Sequence, residues 1–231
     1  MIEAIVYLLA GLGAFLVGFK ILSDNVQKLA NQKLKQLFNK VTNNRWLGVG
    51  IGAAITVIIQ SSSVTTVMVV GFVNAGVMNL IQATTIIMGA NIGTTITAQL
   101  VALKAFDVTL YAMILAAIGI FGEMFAKKDK VKTIFYALAG LGLVFIGLDV
   151  MASSMSIFKT SPVITNALTS INNPFLLLFI GILVTGVIQS SSAVTTILIS
   201  MVAAGLTIGS GGNAVLYVVL GTNIGTTVTA L

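Results

Sequence analysis

Residues 59–63 read Ile-Gln-Ser-Ser-Ser, and residues 188–192 repeat the same five letters. Each copy interrupts an apolar stretch, which covers 46–76 in the first case and 174–205 in the second. The arms on either side of the first serine run are each about 13 residues long, or about 20 Å of helix. That is too short to cross a hydrocarbon core of about 30 Å. The pattern therefore predicts, in each copy, a re-entrant hairpin with the serines at its tip.

The composition places these hairpins in a lipid bilayer. Of the 231 residues, 57% are hydrophobic and only 8% are charged, whereas a soluble domain carries about 25% charged residues. This excludes a disordered chain, a nucleic-acid-binding module and an ordinary cytosolic enzyme. The chain has no Cys and no His, which removes disulfides, thiolate metal sites and the commonest general base. We therefore expect an all-α polytopic protein of the cell membrane, and not an enzyme.

The chain also repeats itself outside the hairpins. Residues 11–18 (GLGAFLVG) match 140–147 (GLGLVFIG), and residues 89–98 (GANIGTTITA) match 221–230 (GTNIGTTVTA) at eight of ten positions. The sequence therefore predicts two repeat units, 1–126 and 127–231. Each unit is expected to hold one hairpin and one transmembrane helix that its Asn-Ile-Gly-Thr-Thr motif breaks. The second unit is expected to be incomplete at its C-terminal end, because only four residues follow Thr227.

The number of membrane crossings in the first unit determines whether the second unit has the same or the opposite orientation in the membrane. The first unit is expected to cross at 2–22, 80–102 and 108–126, and its hairpin does not cross. Three crossings are an odd number, so the second copy is predicted to be inverted. It is expected to cross from Lys132 to Asp149 and to continue, beyond Leu231, into at least one further apolar segment of about 20 residues.

Basic residues cluster in two short segments, which hold nine of the 12 Lys and Arg side chains. Because positive loops stay cytoplasmic, 24–45 and 127–132 are predicted to lie inside, the N-terminus outside and the loop 151–173 outside. Within the first segment, residues 24–42 alternate apolar and basic positions at helical spacing. We expect them to form a separate amphipathic helix in the membrane interface. Juxtamembrane basic clusters of this kind reflect topology and anionic lipid, and no nucleic-acid partner is expected.

The polar motifs carry the functional prediction. Irregular backbone survives at membrane depth only where it is buried or lines a polar cavity, and paired interruptions in inverted halves are typical of a transport site at the midplane. Helix N-termini attract anions, while carbonyl, hydroxyl and amide oxygens suit Na⁺. No Asp or Glu lies in the motifs, which favours an anionic substrate. The alternative is that Gly89/Gly93 and Gly221/Gly225 are only small-residue packing faces.

The double motif resembles the type II sodium-dependent phosphate cotransporters and their bacterial relatives over essentially the whole chain. The resemblance implies uptake of inorganic phosphate driven by Na⁺, by alternating access, with no cofactor other than the transported ions. It also implies that both ions bind among the motif residues, without assigning residues to either ion. These residues are Gln60, Ser61, Ser62, Ser63, Asn91, Thr94, Thr95, Gln189, Ser190, Ser191, Ser192, Asn223, Thr226 and Thr227.

Other functions stay open on the sequence. The substrate can be another oxyanion, such as sulfate or arsenate, and the chain can be a non-transporting regulatory or assembly subunit of the same fold. A passive channel is disfavoured, because the sequence shows no ring of like charges. The Na⁺ stoichiometry and a homodimeric state are also left open.

Overall fold

The computed structural model describes residues 1–39, 44–106 and 108–230, and within them the chain is helical without a strand. The first five helices are α1 (Ile2–Asn39), α2 (Arg45–Ile59), α3 (Ser62–Asn74), α4 (Leu80–Ala102) and α5 (Thr109–Phe125). The next five are α6 (Asp129–Lys159), α7 (Pro162–Ser170), α8 (Pro174–Ile188), α9 (Ser191–Ala203) and α10 (Ala214–Gly225). Short 3₁₀ turns, Leu103–Phe106 and Thr226–Ala230, follow α4 and α10. The predicted all-α fold is confirmed.

Three helical segments in the described part of the chain are long and apolar enough to cross a membrane: Ile2–Ala30, Leu80–Ala102 and Asp129–Lys159. Counting α7 and α8, which meet at 114°, as one bent span gives a fourth. The four helices that flank the serine tips are shorter, at 13 to 15 residues. At 1.5 Å per residue they extend only about 20 Å.

Helices α1 and α6 pack against each other along their glycines. A Cβ added to Gly11 would lie 2.7 Å from the backbone nitrogen of Met151, and one added to Gly18 would lie 2.7 Å from that of Val144. Because the partner number falls as the α1 number rises, the two helices are antiparallel. Such close backbone approach is what small residues permit between membrane helices.

The serine motifs lie at the tips of two helical hairpins. Gly48 of α2 lies against Thr85 of α4, and further along α2 the side chain of Thr56 lies against Gly93. Helices α2 and α4 are therefore parallel, so the intervening α3 must bring the chain back to the start of α2. The second hairpin follows the same plan, because α8 packs in parallel on α10 and α9 returns between them.

The helix predicted at 24–42 is confirmed as helical up to Asn39, but its separation from the first span is wrong. Helix α1 continues without a break from the first span to Asn39, and residues 40–43 lie outside the described part of the chain. No Gly or Pro follows Gly18 in this segment, so nothing in the sequence stops the helix. The side chain of Asn25 also donates to the carbonyl of Ile21 at 2.7 Å, which adds a bond within the helix.

The predicted break at residues 91–95 is also wrong, because α4 passes through them as continuous α-helix. The hydroxyls of Thr94 and Thr95 donate to the carbonyls of Ala90 and Ile92, one turn earlier. Gly93 does not break the helix but allows α4 to pack closely on α2, since a Cβ there would lie 2.6 Å from the carbonyl oxygen of Ala53. In the second copy the α-helix ends at Gly225 and tightens into the 3₁₀ turn Thr226–Ala230.

The segment 151–173 is mostly helical, which corrects the predicted loop. Helix α6 continues to Lys159 instead of ending near Asp149, and α7 occupies Pro162–Ser170. The helix ends only where Pro162 prevents its continuation. The expected crossing at 108–126 is shorter than expected, since α5 has 17 residues.

Candidate functional site

Each serine tip begins with a glutamine in the left-handed backbone conformation. Gln60 has φ 59° and Gln189 has φ 57°, and no other non-glycine residue in the described chain has positive φ. Their backbone N–H groups donate to the carbonyls of Thr56 and Thr185, both at 2.6 Å. Each glutamine thus ends one helix and reverses the chain, although Gly is the usual residue in this position.

The serine after each glutamine begins the returning helix. Ser61 and Ser190 have extended backbone, and their hydroxyls accept from the amides of Val64 and Ala193, both at 3.2 Å. These are N-caps, for which serine is a preferred residue. The first turn of a helix carries N–H groups without an intrahelical acceptor, so α3 and α9 each present a partly positive end at a hairpin tip.

The N-terminus of α9 opens into a small cavity of about 70 Å³ between α4, α9 and α10. Nine of its eleven lining residues are Ser, Thr or Asn and none is charged, although apolar atoms form most of the exposed wall. Its lining residues are Asn91, Thr94, Thr95, Thr97, Ala98, Ser191, Ser192, Thr195, Thr196, Val219 and Asn223. A cavity needs about 10–15 Å³ of this volume for each water molecule. The space therefore suits a small ion, whereas organic ligands occupy pockets of about 300–1,000 Å³.

A larger cavity of about 330 Å³ lies beside the first one and opens along α1. Ser192 lines both cavities, and Gln60, Ser61 and Ser190 line the larger one. The two serine tips therefore meet at the larger cavity, and the second tip also borders the smaller cavity. The remaining lining residues are Phe15, Leu16, Phe19, Lys20, Ser23, Asp24, Gln27, Ile59 and Val64.

Helix α1 holds the first tip from the side. The hydroxyl of Ser23 donates to the carbonyl of Ile59 at 2.7 Å, and Nε2 of Gln27 donates to the same oxygen at 3.1 Å. Ile59 is the last residue of α2, and the last carbonyls of a helix have no intrahelical donor. Thr97 of α4 adds a contact to the tip, because its hydroxyl donates to Oε1 of Gln60 at 3.3 Å.

Nine of the fourteen predicted site residues line one or both of the two cavities. They are Gln60, Ser61, Asn91, Thr94, Thr95, Ser190, Ser191, Ser192 and Asn223. The other five line neither. Ser62 and Thr226 are buried, Ser63 is half-buried, and Gln189 and Thr227 are exposed.

The sequence motifs missed several residues at these cavities. Thr97, Thr195 and Thr196 line the smaller one, and the paired threonines that follow each serine run were a signal that pointed to the last two. Ser23 and Gln27 gave no such signal, because a polar pair near the end of a span is also typical of a membrane interface.

One buried hydroxyl at the second tip has no hydrogen-bond partner in the described chain. It belongs to Thr185, whose side chain is fully buried. The corresponding Thr56 of the first hairpin donates to the hydroxyl of Thr65 at 3.1 Å. Position 194, which corresponds to Thr65 at the same distance from its cap, is Val194, and valine offers no hydroxyl.

A family model described as Na+/Pi-cotransporter matches residues 14–153 and 160–231. The chain belongs to the Na+/Pi-cotransporter family. This is a family of transporters and not of enzymes, and the described chain has three or four helical segments long and apolar enough to cross a membrane, as expected of a membrane protein. No solved structure matches the chain.

Several curated proteins are similar to this member of the family. The uncharacterized protein YqeW of Bacillus subtilis is 30% identical over 221 residues, which cover 94% of this chain and 69% of YqeW. YjbB of Escherichia coli, whose name proposes inorganic phosphate export, is 23% identical over 98% of this chain and 41% of its own length. The human sodium-dependent phosphate transport protein 2B is 39% identical over 104 residues, or 44% of this chain and 15% of that protein. The chain thus spans less than half of YjbB and of the human protein.

Proposed function

We propose that this family member is the core of a secondary transporter that moves inorganic phosphate together with Na⁺ by alternating access. The observation that supports it best is the small cavity at the N-terminus of α9, whose lining residues are mostly Ser, Thr and Asn and include no acidic side chain. A phosphate there meets the positive end of a helix without a carboxylate that would repel it. The fourteen motif residues are proposed as the surroundings of phosphate and Na⁺.

Sodium binding is proposed among neutral oxygens. The described chain contains no group of three or more Asp and Glu side chains able to hold a metal ion. Hydroxyl, amide and carbonyl oxygens remain, and helix C-terminal carbonyls serve Na⁺ in other transporters with interrupted helices. The carbonyls at the ends of α2 and α8, beside Gln60 and Gln189, are candidate oxygens of this kind.

Two inverted repeats, 1–126 and 127–231, are proposed to form the transport unit. The antiparallel packing of α1 on α6, which begin the two repeats, is what inversion requires. The hairpins α2–α3 and α8–α9 have arms too short to cross, which supports re-entrant insertion from opposite sides. The proposed orientation has the N-terminus and 151–173 outside and the basic segments 24–45 and 127–132 inside.

The direction of net transport is proposed to be uptake, because a Na⁺ gradient directed into the cell drives a symporter inward. The name of YjbB favours a second candidate, which is export of inorganic phosphate. Both directions use the same site, so they differ only in the gradient that drives net flux.

The test is flux of ³²P-phosphate in proteoliposomes that contain the full-length protein. An inward Na⁺ gradient should accelerate uptake several-fold over an equal K⁺ gradient, and reversing the gradient should drive efflux. Sulfate and arsenate as competitors decide between phosphate and another oxyanion. Equal rates in Na⁺ and K⁺ would overturn the coupling, and phosphate binding without flux would favour the regulatory or assembly subunit.

A further inference from the structure

The larger cavity contains a pair of opposite charges inside a membrane span. Lys20 and Asp24 both line it, and Nζ of Lys20 lies 3.3 Å from Oδ2 of Asp24. Both residues belong to the candidate span Ile2–Ala30. Gly18, two residues before Lys20, packs against Val144, which is the middle residue of α6. Leu22, which lies between Lys20 and Asp24, packs against Gly140 nearer the start of α6, so the pair lies in the half of the candidate span that leads to the basic segment, where ionisable side chains are uncommon and mark pathways for ions.

Lys20 is the sole cation, and Asp24 the sole anion, among the described residues that line this cavity. Every other polar group in the lining is a serine or a glutamine. An anion that enters the larger cavity on its way to Ser192, which borders both cavities, therefore meets one positive side chain. Because Asp24 lines the same cavity and pairs with Lys20, the lining carries no net charge, and the lysine attracts an anion only as far as the anion can compete with Asp24.

The pair is weakly held. The side chains of Lys20 and Asp24 remain 77% and 50% exposed, and exposed pairs contribute little. The lysine also precedes the acid by four residues, which is the less favourable order on a helix. An arriving dianion can therefore replace Asp24 at the ammonium group at small cost.

The second repeat does not reproduce this arrangement. Position 149, which lies 129 residues after Lys20, is Asp149, and it binds Lys104, a residue outside the larger cavity. Among the described residues, the one cation that lines the larger cavity therefore comes from the first repeat.

We propose that Lys20 is a specificity-determining residue that captures the phosphate anion in the larger cavity, and that Asp24 competes with the anion for it. The inference rests on the proposed function and deepens it. The inference predicts opposite changes in the KM for phosphate, because Lys20 attracts the anion and Asp24 competes with it. If the ion pair were purely structural, loss of either residue would change KM in the same direction.

The experiment measures Na⁺-driven ³²P-phosphate flux by the full-length protein in proteoliposomes at low ionic strength. Lys20→Gln should raise the KM for phosphate about tenfold with an unchanged maximal rate, Lys20→Arg should stay near wild type, and Asp24→Asn should lower KM. The matched control is Lys28→Gln, an exposed lysine two turns along α1 that does not line the cavity, and its KM should not change.

A cysteine variant keeps the test decisive if Lys20→Gln folds poorly. The 231 residues contain no Cys, so Lys20→Cys, with any cysteine elsewhere in the full-length protein replaced, can be modified at one position after folding. An aminoethylating thiol reagent restores the positive charge and should restore the low KM, whereas a neutral methylthiolating reagent should not.

The outcomes separate the two proposals. Wild-type protein without Na⁺-driven phosphate flux would overturn the proposed function and this inference together. Normal wild-type flux with an unchanged KM in Lys20→Gln, equal effects of both thiol reagents, or a KM that rises in Asp24→Asn would overturn the role of Lys20 alone.

Discussion

The two hairpins have the same turn but are held in different ways. In the first, the carbonyl of Ile59 accepts hydrogen bonds from Ser23 and Gln27 of α1. The residues 129 positions later on α6 are Ala152 and Ser156, and the hydroxyl of Ser156 donates to its own helix. Alanine has no donor, so α6 offers the second tip no equivalent support at this position.

The two glutamines also differ in how they are held, with the first in more contact with its surroundings than the second. Gln60 is half-buried and accepts from Thr97, whereas Gln189 is exposed. The turn itself is therefore encoded locally by the Gln-Ser pair, while the fixing of the tip depends on helices that lie far away in sequence.

The largest expected effect concerns what the hairpins share. A Cβ on Gly52 or on its counterpart Gly181 would lie 2.1 and 2.2 Å from the carbonyl oxygens of Ile86 and Val218. Gly52→Ala and Gly181→Ala should each destabilise the protein by about 3 kcal/mol, because a backbone oxygen cannot move aside. Thermal unfolding in detergent measures this. Gly50→Ala is the control, since nothing lies within 4 Å of its added Cβ, and a drop as large as that of Gly52→Ala would contradict the packing.

Replacing the glutamines tests the tips as part of the site. Gln60→Leu and Gln189→Leu keep the volume and remove the amide; the loss at Gln60, which accepts from Thr97, should cost about 1–3 kcal/mol of binding, and the loss at the exposed Gln189 should cost less. For Gln60 this corresponds to a loss of apparent affinity for phosphate or Na⁺ of about tenfold. Flux per molecule at the liposome surface measures it. Normal kinetics in both variants would remove the glutamines from the site, and equal losses of thermal stability in both would contradict the difference in anchoring.

The support from α1 should have a smaller effect. Ser23→Ala removes the shorter of the two hydrogen bonds to Ile59 and should lower the free energy of unfolding by about 1 kcal/mol. Chemical or thermal unfolding in detergent gives the value. Ser153→Ala serves as the control, because that exposed hydroxyl bonds only to a carbonyl of its own helix. Equal stability of the two variants would argue against the anchor.

Replacing the buried threonines should change the stability only slightly, and the direction of the change should differ between the two hairpins. Thr56→Val removes a hydrogen bond to Thr65 and should destabilise the protein by about 1 kcal/mol. Thr185→Val has the same shape change but removes a hydroxyl without a partner, so it should be neutral or stabilising. Melting temperatures of the two variants compare the sites directly, and a destabilisation by Thr185→Val equal to that of Thr56→Val would show that Thr185 has a partner.

The sequence predicted the features that depend on local pattern. The hairpin limits follow from apolar runs interrupted by Gln-Ser, whereas the N-caps at Ser61 and Ser190, which the structure shows, were not predicted. The break predicted at Asn91–Thr95 was wrong because glycine and threonine suit both an unwound segment and a tight helix contact, and only the partner helix decides between them. The long continuous α1 was missed because a change in polarity does not end a helix that contains no breaker.

The site was predicted in part for the same reason. Six motif residues from α4, α9 and α10 border one cavity, and the repeat pointed to them because matching polar interruptions are costly in lipid. The presence of Thr97 and of the pair Lys20–Asp24 at the cavities depends on which helix faces which tip. That information comes from tertiary packing, and no spacing within one segment contains it.

The central claim is a Na⁺-linked phosphate site at the N-terminus of α9. Equilibrium binding of ³²P-phosphate to purified full-length protein, with Na⁺ or with K⁺, tests it most directly in wild type and in Ser192→Ala, with Ser153→Ala as the control. We predict Na⁺-dependent binding in wild type and in the control, and binding about tenfold weaker in Ser192→Ala. Wild-type affinity in Ser192→Ala, or equal binding in Na⁺ and K⁺, would contradict the account.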